Sequence, residues 1–326
     1  MRDVAIGEQP VSVEDVVELA QQRATVSLAD TPGFRERIVR GAELLDRILE
    51  EDGVIYGVTT GYGDSCTVDV PTELAWELPL HLTRFHGCGT GDHLSLEASR
   101  AVLVARLASL CRGYSGVSMP LLELLATYLN KNVVPLIPEE GSVGASGDLT
   151  PLSYVAAALI GERQVHSDDG PRDTSDVLAD LGLEPHKLRP KEALALMNGT
   201  AVMTGLACMA FSRAEYLARL SSRITSLAAL ALKSNAFHFS KELFDVKPHP
   251  GQGQVAYWIR SDLEHEEMPR NPLRLQDRYS IRCAPHVIGV LVDALPWLRS
   301  QIETELNSSN DNPIICLLYT SDAADE

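Results

Sequence analysis

Basic residues are scarce in this 326-residue chain: 28 Lys and Arg stand against 45 Asp and Glu, for a formal charge of −17. Such a surface repels phosphate backbones, and no run of Lys or Arg with interleaved aromatics reverses it locally, so nucleic acid is not an expected partner. The six cysteines, Cys66, Cys88, Cys111, Cys208, Cys283 and Cys316, include no CxxC pair and no dense framework. That spacing fits a reducing compartment and free, mostly buried thiols. No stretch reaches the roughly 18 uncharged apolar residues of a membrane span. The opening "MRDVAIGEQPVSVEDVVELA" also lacks a signal-peptide core. No membrane partner is expected, and the reading places the protein in the cytosol.

Strand-like alternation is also scarce. Apolar residues instead recur at three- and four-residue steps in "VEDVVELAQQRA" (13–24), "FRERIVRGAELLDRILEE" (34–51), "LEASRAVLVARLASLCRG" (96–113) and "MPLLELLATYLNKN" (119–132). That spacing predicts amphipathic helices. Longer helices are predicted over about 198–233 and 282–307, with Pro296 as a kink or break in the second. The polar stretch "HSDDGPRDTSD" (166–176) reads as a surface loop or short hairpin. The expected fold is therefore mainly α: an N-terminal helical domain over 1–190 with glycine-rich loops, then the first part of a long-helix bundle over 191–315.

Four glycine loops lie between the helices: "YGVTTGYGDS" (56–65), "HGCGTGDH" (86–93), "GSVGASGD" (141–148) and "KPHPGQGQ" (247–254). They do not have the spacing of a P-loop, since no lysine follows the glycines at the required place, and "GSVGASGDLTPLS" contains no GxGxxG. A hydrolase elbow needs GxSxG, whereas Gly144-Ala145-Ser146-Gly147 is one residue short. His81, His86 and His93 stand at steps of five and seven, which do not share one helical face, so no metal is expected.

Another chemistry is open to Ala145-Ser146-Gly147. An amide nitrogen on glycine can approach the carbonyl two residues earlier, because no Cβ obstructs it. Ring closure with loss of water, the serine hydroxyl included, would leave an electron-poor exocyclic methylene. From these three residues alone, a glycine turn entering a helix capped near Asp148 accounts for the pattern more simply.

The wider set of motifs is more specific. "YGVTTGYG" (56–63), "GSVGASGDLTPLS" (141–153), "MNGT" (197–200), "KPHPGQ" (247–252), "QDRYSIRCAPHVIG" (276–289) and "ELNSSNDNP" (305–313) occur in one order. In this the chain closely resembles the aromatic amino acid ammonia-lyase and aminomutase family, from about Val11 to Ile315. The resemblance implies a 4-methylidene-imidazol-5-one formed autocatalytically from Ala145, Ser146 and Gly147, with no external cofactor or metal. It implies an aromatic L-amino acid as substrate and ammonia elimination, or a 2,3-aminomutase reaction, as the activity.

Residue roles follow as further implications of the resemblance. Tyr56 would be the base that removes the β-proton. Tyr279 lies on the segment carrying Gln276 and Arg282; Arg282 would hold the substrate carboxylate by a forked contact that Lys could not reproduce. Asn198 and Gln276 would hydrogen-bond around electrophile and substrate, Gly63 would admit backbone close to the ring, and Asn312 would support the site. Phe85 and His86 would face the substrate ring; their pairing leans toward tyrosine over histidine and leaves phenylalanine open.

Family chains continue beyond the "DNP" turn and share their sites within a homotetramer. The last eleven residues, "CLLYTSDAADE" (316–326), follow without a cap or helical pattern and read as an adapter-like, non-native tail. The expectation is a truncated lyase, inactive or poorly folded as this chain, whose complete form is an active carbon-nitrogen lyase.

Overall fold

The computed structural model describes residues 1–51, 53–142, 146–264 and 275–315. Contacts divide the chain into two units. The first comprises Met1–Met209 together with Ile302 and the described residues after it; the second is Ala210–Gln301.

Helices dominate, as the apolar spacing predicts. Along the chain run α1 (Val13–Ala20), α2 (Pro32–Glu50), α3 (Leu78–Phe85), α4 (Leu96–Leu110), α5 (Met119–Lys131), α6 (Leu149–Leu159), α7 (Thr174–Leu181) and α8 (Glu192–Met197). There follow α9 (Ala201–Ala231), α10 (Lys241–Asp245), α11 (Pro250–Leu263), α12 (Tyr279–Arg282) and α13 (Ala284–Leu306). Three short two-stranded sheets accompany them. β1 (Arg2–Ile6) pairs in parallel with β2 (Ala24–Leu28). β3 (Thr90–His93) and β4 (Pro138–Glu140) pair antiparallel, as do β5 (Gln164–Val165) and β6 (Arg172–Asp173). The last pair is the hairpin read from the polar stretch.

Several ends differ from the periodic pattern for local reasons. α1 starts on a reciprocal capping box, in which Asp15 N donates to Ser12 Oγ and Ser12 N to Asp15 Oδ2. It stops at Ala20 rather than residue 24, because Gln22 turns to φ +56° and the chain enters β2. α4 stops at Leu110 rather than 113, ahead of Gly113 at φ +85°. Pro296 does not break its helix: α13 runs through it from Ala284 to Leu306.

α4 is buried on every side from Ser99 to Leu110, although Arg100 and Arg106 lie within it. Arg100 satisfies the carbonyls that end two neighbouring helices. Its Nε and Nη2 donate to Leu19 O, Nε also to Ala20 O, and Nη1 donates to Leu129 O and Asn132 Oδ1. Burial draws this guanidinium down to about 10, and the carbonyls are what make its position tolerable.

Glu192, fully buried at the start of α8, is a second such anchor. It accepts from Ser118 N and Oγ, Arg189 N and His186 Nε2. Burial pushes its carboxyl up, but these bonds outweigh burial and the net direction is down. A carboxyl lowered on folding contributes stability that is present above its unfolded value, about 4.3, and lost as pH falls through the folded value. Glu192→Gln is expected to cost about 1–3 kcal/mol at pH 7. In urea titrations the gap to the parent should close below about pH 4; a gap constant with pH would reject this account.

In the first unit Leu44, Leu45, Ile55, Val58, Ala75 and Ile315 form one apolar cluster, which fixes the chain just before the first glycine loop. In the second, Phe239, Val255, Ile259, Leu263 and Ile281 pack with Ala229. Two sequence expectations need correction. The five described cysteines are free, but Cys66 and Cys88 are exposed and Cys283 half-buried; only Cys111 and Cys208 are buried. Cys66 sits in a short 3-10 turn (Gly63–Thr67) and Cys88 in a loop, both where the chain runs over the surface. The stretch Tyr279–Leu306 is also long and apolar enough to cross a membrane. It carries charged residues such as Arg282 and Asp293, so it is not an uncharged run, and the core helix of a globular protein has the same length and composition.

Candidate active site

Four segments of the first unit meet around one cavity of about 590 Å³. Its walls include Tyr56, Tyr62, Gly63, His81, Phe85, His86, Ser146, Leu194 and Asn198. That volume suits a small ligand, and the mix of apolar walls with a few polar groups is the ordinary composition of such sites.

The Tyr56 wall is a loop held at both ends. Ile55 N donates to Thr59 Oγ1 and Gly57 N to Thr60 Oγ1, while Gly61 N reaches Val68 O and Val70 N reaches Thr59 O. Within it, Gly63 N donates to Tyr56 Oη at 2.8 Å. An N–H aimed at a phenol oxygen orients the ring and supports negative charge on that oxygen.

α3 supplies the opposite side through Leu78, His81, Leu82 and Phe85, spaced at three and four residues along one helix face. His86 ends the helix, its ring edge-on to Phe85 at 5.2 Å. Its Nδ1 lies 3.0 Å from Leu82 O. A carbonyl can only accept, so Nδ1 carries the proton and Nε2 of the neutral ring is left as an acceptor.

Ser146 is exposed on the third wall, and Ala145 lies outside the described residues. Gly147, at φ +80°, pairs with Gly199, and Asp148 N donates to Gly199 O at 2.7 Å. Asp148 stands at the N-cap of α6, yet its side chain gives no bond to that helix. Its Oδ2 instead accepts from Val202 N and Met203 N in the first turn of α9, and its Oδ1 from Ser142 Oγ. One carboxylate therefore ties the glycine loop to the start of another helix. The simple cap expected at Asp148 is corrected accordingly.

Beneath Gly199 lies a buried polar layer. Arg106, on α4, donates through Nη1 to Ala195 O and to Asn310 Oδ1, and Ser109 Oγ donates to the same Asn310 oxygen. Asn310 Nδ2 donates to Thr200 Oγ1 and Glu305 Oε1. Complete burial draws Arg106 down to about 10, opposed by Asp311, Asp148 and Glu305. Asn312 is exposed, so the inward contacts of the "DNP" turn are made by Asn310 and Asp311.

Gln276, Tyr279 and Arg282 belong to the second unit. Gln276 is exposed. The Arg282 guanidinium lies 4.3 Å over the Tyr279 ring, and its Nε donates to Asp277 O. Asp277 N donates to His238 Nε2, and burial, outweighing the nearby carboxylate, draws that imidazole down.

Sequence reasoning did not single out Tyr62, Arg106 or Asn310. For Arg106 a signal existed: an arginine amid an unbroken apolar run must be buried against partners. Among the described residues, no three or more His, Cys, Asp or Glu converge as a metal site.

Comparison with known proteins identifies relatives along almost the whole chain. A family model described as aromatic amino acid lyase matches residues 11–326, the tail included. The histidine ammonia-lyase of Bos taurus is 39% identical over 320 residues, covering 96% of this chain and 48% of its own length. The MIO-dependent tyrosine 2,3-aminomutase of Streptomyces globisporus is 39% identical over 334 residues, covering 95% of this chain and 61% of its own. A crystal structure of tyrosine aminomutase from that organism aligns with a TM-score of 0.88 and 37% identity, covering 96% of this chain and 63% of that one. The chain thus spans about half the length of the curated histidine ammonia-lyase it matches. With the family model matched over residues 11–326, this chain belongs to the aromatic amino acid lyase family.

Proposed function

We propose that the protein containing this chain eliminates ammonia from an aromatic L-α-amino acid, giving an arylacrylate or urocanate. The observation that carries the reading is one cavity with Tyr56 and Ser146 on its walls and the Phe85–His86 pair beside them.

The group implied by the family, formed from Ala145, Ser146 and Gly147, would supply an electrophilic carbon that makes the substrate amine a better leaving group. The residues present fit it. A Cβ on Gly147 would stand 2.2 Å from Gly199 O and 2.6 Å from Gly199 N, so the segment lies closer to its support than any side chain allows. Ser146 is exposed at the cavity, where the methylene would be needed.

The chain's own side chains then divide the work. Tyr56, its oxygen held by Gly63 N, takes the β-proton. Phe85 offers an aryl face, and His86 Nε2 accepts from a phenol or an imidazole N–H, which keeps tyrosine and histidine in view with tyrosine favoured. Asn198 hydrogen-bonds near the electrophile. Gln276, Tyr279 and Arg282 complete the site from a neighbouring subunit of a homotetramer, with Arg282 on the substrate carboxylate.

The test uses protein expressed from its complete reading frame, incubated with tyrosine, histidine and phenylalanine while the ultraviolet absorbance of the conjugated acids is followed. Parent protein should weigh less than its translated sequence by the mass of two waters; Ser146→Ala should show neither that loss nor turnover. Silence of the parent with all three amino acids would sink the lyase reading. Similarity to the tyrosine 2,3-aminomutase favours a second reading, in which ammonia returns to the β-carbon. A β-amino acid as the main early product would select it.

A further inference from the structure

The first glycine loop contains two Tyr-Gly dipeptides, Tyr56-Gly57 and Tyr62-Gly63, and the structure crosses them. Gly63 N donates to Tyr56 Oη. In the other direction the Tyr62 ring lies against Gly57: a Cβ built there would stand 2.8 Å from Tyr62 Cε1 and 2.9 Å from Cδ1. Leu194 Cδ2 closes the same spot at 2.9 Å. Both glycines hold left-handed backbone, φ +67° at Gly57 and +56° at Gly63, which other residues adopt at a cost. Each tyrosine therefore rests on the other's glycine.

The loop ends are pinned through Thr59, Thr60 and the Val68–Val70 strand-like segment, but those bonds do not fix the direction in which Tyr56 projects. Among the described residues, the bond from Gly63 N is the one the structure gives Tyr56 Oη. Gly63 follows Tyr62 directly, so the seat of the Tyr62 ring decides where that N–H points.

We propose that Tyr62 is a positioning residue for Tyr56: its ring, seated on the bare Cα of Gly57 and against Leu194, sets the turn from which Tyr56 projects and carries the Gly63 N–H onto the Tyr56 oxygen. The inference rests on the reading of Tyr56 as the base. It assigns the work to the ring and none to the Tyr62 hydroxyl. Burial, and then the neighbouring Tyr56, push the Tyr62 phenol up, so it stays protonated and places no second negative charge beside the base.

The experiment compares Tyr62→Ala, Tyr62→Phe, Gly57→Ala and the double variant Gly57→Ala/Tyr62→Ala, in protein expressed from the complete reading frame. Tyr62→Ala and Gly57→Ala should each lower kcat by about 10- to 100-fold, the usual cost of misplacing a catalytic group by about 1 Å, with KM changed by less than about threefold. Tyr62→Phe should recover most of that loss. Because both single variants break one contact, the double variant should be no worse than the poorer single one. All four should retain the two-water mass loss, which separates a misplaced base from a missing electrophile.

Hydrogen exchange of the 53–66 segment gives a readout that needs no turnover. Exchange should be slow in the parent and Tyr62→Phe, and fast in Tyr62→Ala and Gly57→Ala. Parent-like exchange in Tyr62→Ala, multiplicative losses in the double variant, or a Tyr62→Phe as slow in turnover as Tyr62→Ala would each overturn the proposal. A parent without turnover but with this exchange pattern would instead retain the clasp and reject the lyase reading.

Discussion

Gly147→Ala is expected to leave the protein at its full translated mass and to lower activity by at least about a thousandfold, equivalent to about 4 kcal/mol at the transition state. The methyl group would meet Gly199 O at 2.2 Å and Gly199 N at 2.6 Å. These are backbone atoms in a paired segment and cannot swing aside as a side chain can. The added residue must also hold φ +80°. The loop would have to lift from Gly199, losing the Asp148 N bond to Gly199 O and the Asp148 carboxylate bonds that begin α9. Gly147 N, the atom that would close the ring, would leave its place. Gly182→Ala is the control for backbone strain alone: φ is +64° there, but nothing stands within 4 Å of a built Cβ. It should cost roughly 1–2 kcal/mol of stability and leave the mass loss intact. Intact-mass analysis and turnover of the two variants decide the matter; a Gly147→Ala protein that still loses two waters would refute it.

The contrast between these two glycines shows what sequence could and could not convey. "YGVTTGYG", "GASGD" and "MNGT" are local words, and Tyr56, Ser146 and Asn198 were legible because each keeps its neighbours along the chain. The long helices were legible for the same reason, since three- and four-residue spacing is a local property. Support for the site is nonlocal. Asp148 reads as the cap of the helix that follows it, yet it caps one that starts 53 residues later, at Ala201. Asn310 meets Arg106 and Thr200 across separations of 204 and 110 residues, which no motif spacing expresses. Tyr62 is an intermediate case: the repeated Tyr-Gly was visible, but its crossing depends on left-handed backbone that glycine permits without requiring. The short strands β1 and β2 escaped notice because "RDVAI" and "ATVSL" carry too few residues for a period-two pattern to separate from the flanking helices.

Lys191→Met is expected to destabilise the first unit by about 3–5 kcal/mol, a large share of the about 5–15 kcal/mol that holds a typical domain together. Lys191 stands at the N-cap of α8 with φ +74°, and its side chain and that of Asp311 are both fully buried. Nζ donates to Asp311 Oδ2, and Ser115 Oγ donates to Oδ1. Burial draws the ammonium down and Asp311 draws it up, with burial the larger influence. Methionine would fill the aliphatic volume but leave the Asp311 carboxylate in the interior without its ammonium partner. The cost of the single change is therefore chiefly the cost of a stranded charge, which makes a specific demand on the double variant. Lys191→Met/Asp311→Asn removes both charges and keeps an amide oxygen for Ser115, so it should recover more than half of the loss. Equilibrium urea unfolding of parent, two single variants and the double variant measures the coupling directly. If the double variant were as unstable as the sum of the singles, the pair would be acting independently, and the turn from Asn310 to Asn312 would have to be anchored by Ser115 and the Arg106 layer instead.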